Sequence, residues 1–303
     1  MRVMAISALI ILAGAVMSWR EKCGNQETFT RINSRVFIPC LVFASMNRTP
    51  LTFSEAATMI SASLLFSAAC YPLARLWTAR DPEGSLSGNV PLMFISSSTL
   101  LLPLSFLLFG SQGISKATFF HLANLLLLYT WGMGASGQPS RLREFFKTPT
   151  LHAVILALLL QPLEIELPDQ FEELLWLVEK GIVMMAAGAL PLLLMQHGYS
   201  ISCIARNRRS FFSWGAVVRG LWLPLVALLM ITVMRLTGLS PMEKGYDLLG
   251  YLDLRTTEAI LLLASVIPCT ISLYRQPEGI SSGRTDTLIL ASSLMSMPLL
   301  ILM

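Results

Sequence analysis

The side chains in this chain best placed to do chemistry are hydroxyls gathered beside two prolines. One run is Met93-Phe-Ile-Ser-Ser-Ser-Thr-Leu-Leu-Leu-Pro103-Leu-Ser-Phe-Leu-Leu-Phe-Gly110. The other is Leu263-Ala-Ser-Val-Ile-Pro268-Cys-Thr-Ile-Ser-Leu-Tyr274. Each lies in a stretch apolar enough to cross a bilayer. A proline inside a helix removes one hydrogen bond and clashes with the preceding turn. In lipid the freed backbone groups must find partners, so such breaks face protein or a water-filled cavity. A matched pair of broken helices, one per half of the chain, points to a binding site at mid-membrane. The spacing predicts that Pro103 and Pro268 mark a crossover. Ser96, Ser97, Ser98, Thr99, Ser265 and Thr270, with Asn124 from the next apolar stretch, would line the site. Their chemistry is reversible binding. Hydroxyls, an amide and the open N–H groups of a broken helix donate hydrogen bonds to an anion without a buried lysine.

Other chemistries find little support. His121, His152 and His197 have no nucleophile or carboxylate at catalytic spacing, and nothing resembles a phosphate loop, a dinucleotide fingerprint or a zinc-protease helix. The five cysteines are scattered without metal-ligand spacing, which argues against a disulfide framework or a zinc site. No enzyme activity, metal or cofactor is therefore expected. Apart from span ends such as Glu55, Glu179 and Glu258, no carboxylate lies in the apolar stretches, so a buried-acid proton relay is absent from the pattern. Gln196 and His197 read as lying near the cytoplasmic end of a span. Arg219 reads as either a lipid-facing or an anion-facing cation.

The elements that must position these residues are membrane spans. The chain is 54% hydrophobic and only 13% charged, with mean hydropathy +0.65, against about 25% charged residues in soluble domains. Ten spans are predicted, at 3–19, 32–46, 54–77, 89–109, 115–134, 150–164, 173–196, 211–236, 254–274 and 286–303. Arg2 before an apolar run with Ala13-Gly-Ala15 has the layout of a secretory signal, but a multispan chain normally retains its first span. Loops after the odd spans carry fourteen Lys and Arg residues against seven on the other side. The positive-inside rule then puts the odd loops in the cytoplasm and both termini outside. The net charge of +4 is a topology signal and not a nucleic-acid footprint. Trp19, Trp77, Trp131, Trp176 and Trp214 fall near span ends, whereas Trp222 falls inside one.

The spans divide into 1–140 and 141–303, five in each. Prolines recur at corresponding places: Pro39 and Pro191, Pro72 and Pro224, Pro103 and Pro268. A duplicated unit with an odd number of spans inserts upside down, which is the inverted-repeat construction of many carriers.

The chain resembles the auxin efflux carrier family of membrane transporters over nearly its whole length. The resemblance rests on Ile32-Asn-Ser-Arg-Val-Phe-Ile-Pro39-Cys-Leu-Val-Phe43, Leu102-Pro-Leu-Ser-Phe-Leu-Leu-Phe-Gly110 and Asn124-Leu-Leu-Leu-Leu-Tyr-Thr-Trp-Gly132. In the second half it rests on Ala189-Leu-Pro-Leu-Leu-Leu-Met-Gln-His-Gly198, Val218-Arg-Gly-Leu-Trp-Leu-Pro224 and Leu294-Met-Ser-Met-Pro-Leu-Leu300. It implies an all-α polytopic fold: ten transmembrane helices as two inverted five-helix repeats, with broken helices 4 and 9 crossing as in bile-acid:sodium symporters. It also implies a permease or efflux carrier of a small organic anion in the plasma or inner membrane. The expected partners are that anion and the bilayer, with homodimerisation left open. The chain departs from the family before the crossover proline, where Asn-Thr-Gly-Phe-Leu-Gly is common and Ser96-Ser-Ser-Thr-Leu-Leu101 stands here. A transport-inactive homologue, and a membrane-embedded enzyme or sensor, remain the alternative readings.

Overall fold

The structure is a computed structural model describing residues 2–21, 26–49, 51–79, 92–135, 139–161, 169–206, 214–237, 245–247, 253–268 and 292–293. The chain builds α1 (Arg2–Glu21), α2 (Gln26–Ile32), a π-helical turn (Asn33–Phe37) and α3 (Ile38–Arg48). The long α4 (Phe53–Ala79) follows. A second π-helical turn (Ser97–Leu101) leads into α5 (Leu102–Leu127), and a third (Leu128–Gly132) into the short α6 (Met133–Ala135). Then come α7 (Leu142–Phe146), α8 (Pro149–Leu160), α9 (Asp169–Arg206) and α10 (Trp214–Leu236). Two three-residue strands, β1 (Gly245–Asp247) and β2 (Asp253–Arg255), pair antiparallel before α11 (Thr256–Val266).

The described residues are thus almost all helical. Four stretches are long and apolar enough to cross a membrane: Phe53–Leu76, Ser97–Ala135, Trp176–Arg206 and Val217–Leu236. Their outward faces fit lipid and not water. Leu65 on α4 is 52% exposed, Met184 on α9 76% and Leu229 on α10 64%, more apolar surface than a soluble monomer leaves open.

The stretch from Ser97 to Ala135 is two helices. Gly110 within α5 has φ 64° and ψ −151°, a backbone that only glycine adopts freely. A straight helix would hold Ser97 and His121 about 36 Å apart. Their side chains instead lie 2.7 Å apart, so the chain folds back at Gly110 into a hairpin. This fits the expected boundary between spans 4 and 5.

Pro149 occupies the first position of α8, after an extended Thr148, where a missing N–H leaves nothing unpaired. Pro39 and Pro103 lie where a π-helical turn passes into α3 and α5, and such local adjustments re-satisfy the backbone groups a proline frees. Pro72, Pro191 and Pro224 lie inside α4, α9 and α10 without ending them. Trp222, the tryptophan inside a span, donates its indole N–H to the Ala69 carbonyl at 3.1 Å, one residue from the carbonyl that Pro72 leaves without an intrahelical donor.

Two corrections concern positions. The predicted seventh span is longer, running as α9 to Arg206, so Gln196 and His197 sit about three turns before the helix end and are buried. The sequence argues against a disulfide framework, yet Cys203 is disulfide-bonded; Cys40 and Cys70 carry no disulfide. The tenth span, apart from residues 292–293, and residues 269–274 of the ninth lie outside the described residues.

Candidate functional site

The helical backbone stops at Met93. Phe94, Ile95 and Ser96 leave the helix, and Ser96 has φ −77° and ψ 64°. Helix resumes at Ser97 with the wide π-helical turn, a feature frequent at functional positions. On the other side α11 ends at Val266, and Ile267 is extended with ψ 135°. The two interrupted chains meet: the Ser96 N–H donates to the Pro268 carbonyl at 2.9 Å. Pro268 therefore stands at the contact. Pro103 does not. The break precedes it by seven residues, and Pro103 lies where the π-helical turn passes into α5. The physical reason is that a local π-helical adjustment re-satisfies the backbone groups a proline frees, so no break is needed there.

Around this contact the polar side chains form two linked chains of hydrogen bonds. In the first, the Ser96 hydroxyl lies 2.6 Å from Thr99 Oγ1, which lies 3.4 Å from His197 Nδ1 on α9. In the second, Asn124 Nδ2 donates to Ser97 Oγ at 3.2 Å and to the Ile95 carbonyl at 3.3 Å, and Ser97 Oγ lies 2.7 Å from His121 Nδ1. Ser96, Ser97, Thr99, His121, Asn124 and His197 are all buried. An unpaired polar group here would lose 1–3 kcal/mol or so of hydrogen bonding, so each hydroxyl and amide is matched.

Of the residues read from sequence, Ser96, Ser97, Thr99 and Asn124 come together at the crossover. Ser98 is half-buried and takes no part in either chain among the described residues. Ser265 is buried but donates to its own helix, to the Leu262 carbonyl at 2.7 Å. Thr270 lies outside the described residues.

Three side chains were missed or undervalued. His121 lies one helical turn before Asn124, on the same face, and that spacing was a readable signal. His197 had none, because its partner Thr99 is 98 residues away. Arg219 on α10 reaches both broken ends: its Nε donates to the Leu92 carbonyl at 3.1 Å and its Nη1 to the Ile267 carbonyl at 3.4 Å. Ile267 closes α11, so the guanidinium sits at the negative end of that helix dipole. Gly132 has a local purpose too. A Cβ there would come within 2.7 Å of the Phe94 ring, which packs at the start of the break.

Two ion pairs brace the surrounding bundle. Lys116, fully buried on the second arm of the α5 hairpin, lies 3.0 Å from Glu55 of α4 and donates to Thr257 of α11 at 3.2 Å. Glu258, also fully buried, takes bonds of 2.9 and 2.6 Å from Arg235 and 3.1 Å from the Arg255 N–H. Both acids are at span ends, as their sequence positions indicate. No three His, Cys, Asp or Glu side chains cluster as a metal site among the described residues.

No family model matches this chain, and no curated protein matches it.

Proposed function

We propose that this chain is a secondary carrier of a small organic anion, a carboxylate, working by alternating access around the crossover of its fourth and ninth spans. In this reading it is a ten-span inverted-repeat protein of the auxin efflux carrier kind, in the plasma or inner membrane, with both termini outside. The observation that carries the reading is the Ser96 N–H bond to the Pro268 carbonyl at 2.9 Å, where two interrupted helices from opposite halves of the chain meet among buried hydroxyls. Such breaks in carriers lie near mid-membrane and present helix termini to the ligand.

The pairing of spans supports the repeat. Predicted span 2 meets span 7 through Asn33 Nδ2 and Gln196 Oε1 at 2.6 Å. Span 3 meets span 8 through Trp222 and the Ala69 carbonyl at 3.1 Å. Span 4 meets span 9 at the crossover. Corresponding elements of two copies touch each other wherever they lie on the axis relating them, and three of the five pairs do so here.

The test is uptake of radiolabelled carboxylates into proteoliposomes holding the purified full chain, with and without a sodium gradient and a membrane potential. Saturable uptake of one class supports the reading. Silence across the panel favours the transport-inactive alternative. Cysteine labelling in cells tests the topology: Ser140 is expected on the cytoplasmic side and Pro168 on the outside. Finding both on one side would remove the inverted architecture.

A further inference from the structure

Arg219 is 3% exposed and carries a charge that the structure leaves half-answered. Its guanidinium spends Nε and Nη1 on two carbonyls, those of Leu92 and Ile267. Its Nη2 is buried with no hydrogen-bond partner. A guanidinium stays protonated in proteins and has five N–H donors in a planar fork that matches a carboxylate. Burying such a charge without a counter-ion is among the most expensive arrangements available to a protein. The chain avoids it elsewhere. Lys116 has Glu55, and Arg235 has Glu258. Among the described residues no carboxylate lies in ion-pair contact with Arg219.

Its location ties this charge to the crossover. Ile267 is bonded directly to Pro268, whose carbonyl receives the Ser96 N–H. Leu92 is four residues before Ser96, at the other side of the same break. The guanidinium thus holds the ends of both interrupted helices and keeps a free donor beside their contact. Holding the two carbonyls alone does not account for a third nitrogen that is dry and unbonded.

We infer that Arg219 is the anchor of the transported anion, with Nη2 donating to it, and that the site takes monovalent carboxylates in preference to divalent ones. This rests on the carrier reading above. The second half follows from charge. One uncompensated cation lies at the crossover, so a monocarboxylate neutralises it, whereas a dicarboxylate would bring a second negative charge into a low-dielectric interior where the described crossover residues offer no second cation. The hydroxyls of Ser96, Ser97 and Thr99 then serve the neutral part of the ligand or its second oxygen.

The experiment uses the full chain in proteoliposomes, with lactate and benzoate as monovalent probes and succinate as the divalent one. A second readout is the shift in thermal unfolding of the detergent-purified protein on adding each probe. The parent is expected to take up at least one monovalent probe about tenfold better than succinate, and to be stabilised by it. Arg219→Gln is expected to lower that uptake about 10- to 100-fold and to abolish the thermal shift. Arg219→Lys should retain part of both. Uptake and thermal shift by Arg219→Gln at parent levels would overturn the anchor while leaving the carrier reading intact. Equal uptake of succinate and the monovalent probes by the parent would overturn the charge preference. Failure of every probe to be taken up or to shift the melting would fell the carrier reading and this inference with it. Where Arg219→Gln does not fold, competition in the parent decides: unlabelled benzoate must block lactate uptake and succinate must not.

Discussion

Two of the contacts between the halves of the chain are made by opposite means. At the crossover, backbones meet through hydrogen bonds and the surrounding side chains are polar, buried and paired. Along the contact of α1 with α9, the backbones meet through the absence of side chains. A Cβ on Gly14 would overlap the backbone of Met195, and one on Gly198 would overlap the carbonyl of Ile11. Small residues at such seams let membrane helices approach closely. The environments differ accordingly: the best 18-residue window of Ser97–Ala135 is 61% buried, whereas that of Trp176–Arg206 is 22% buried. The seam is a buried contact held by fit, between helices whose other faces are largely exposed. The crossover bundle is an interior built to hold polar groups. Only the second has the chemistry to bind a ligand and release it.

Substitutions that break each side should behave differently. The largest effect is expected on the crossover side. Glu55→Gln strands the buried Lys116 without its carboxylate, which should destabilise the protein by about 3–5 kcal/mol, read as a lower unfolding temperature or lost expression. Unchanged melting would mean that Lys116 has a sufficient partner in Thr257. On the seam, Gly198→Ala forces α1 off α9 and should cost about 1–3 kcal/mol; the check is thermal unfolding in detergent, with ligand affinity per folded molecule kept. Smaller still is Gly110→Ala. The site has open space for a Cβ, but φ 64° with ψ −151° is a region essentially restricted to glycine, so the change should cost about 1–2 kcal/mol through conformation alone. Gly110→Asn should cost about the same, because asparagine's tolerance is for the left-handed helical region at positive ψ. Unchanged melting of both variants would contradict this conformational account.

Much of this organisation was legible in the sequence because membrane spans and helix starts are local. Apolar length marked helices, the gap between predicted spans 4 and 5 their turn, and the hydroxyl run at 96–99 the polar cluster beside the break. The break itself precedes Pro103 by seven residues, since a proline reads as a helix breaker from sequence but is also accommodated beside a π-helical turn, and only three-dimensional context distinguishes the two. The partners of His197, Gln196 and Arg219 were illegible for another reason. Thr99, Asn33 and Leu92 lie 98, 163 and 127 residues away along the chain. No periodicity encodes contacts at that separation. Ser265 shows the converse: its position in a hydroxyl-rich stretch suggested lining, yet the cheapest acceptor for its proton was its own helix.

The central claim is that the crossover hydroxyls and Asn124 bind the transported anion. It is tested most directly by carboxylate uptake in proteoliposomes containing the Ser97→Ala/Asn124→Ala double variant. Two hydrogen bonds to a charged group are lost, so binding should weaken by about 1–3 kcal/mol, a roughly 5- to 150-fold rise in the concentration for half-maximal uptake. The variant also takes these partners from His121 Nδ1 and the Ile95 carbonyl, so a fall in melting temperature is expected and uptake is read per folded molecule. Uptake indistinguishable from the parent's, in protein that is equally folded, would place the anion elsewhere and contradict the account.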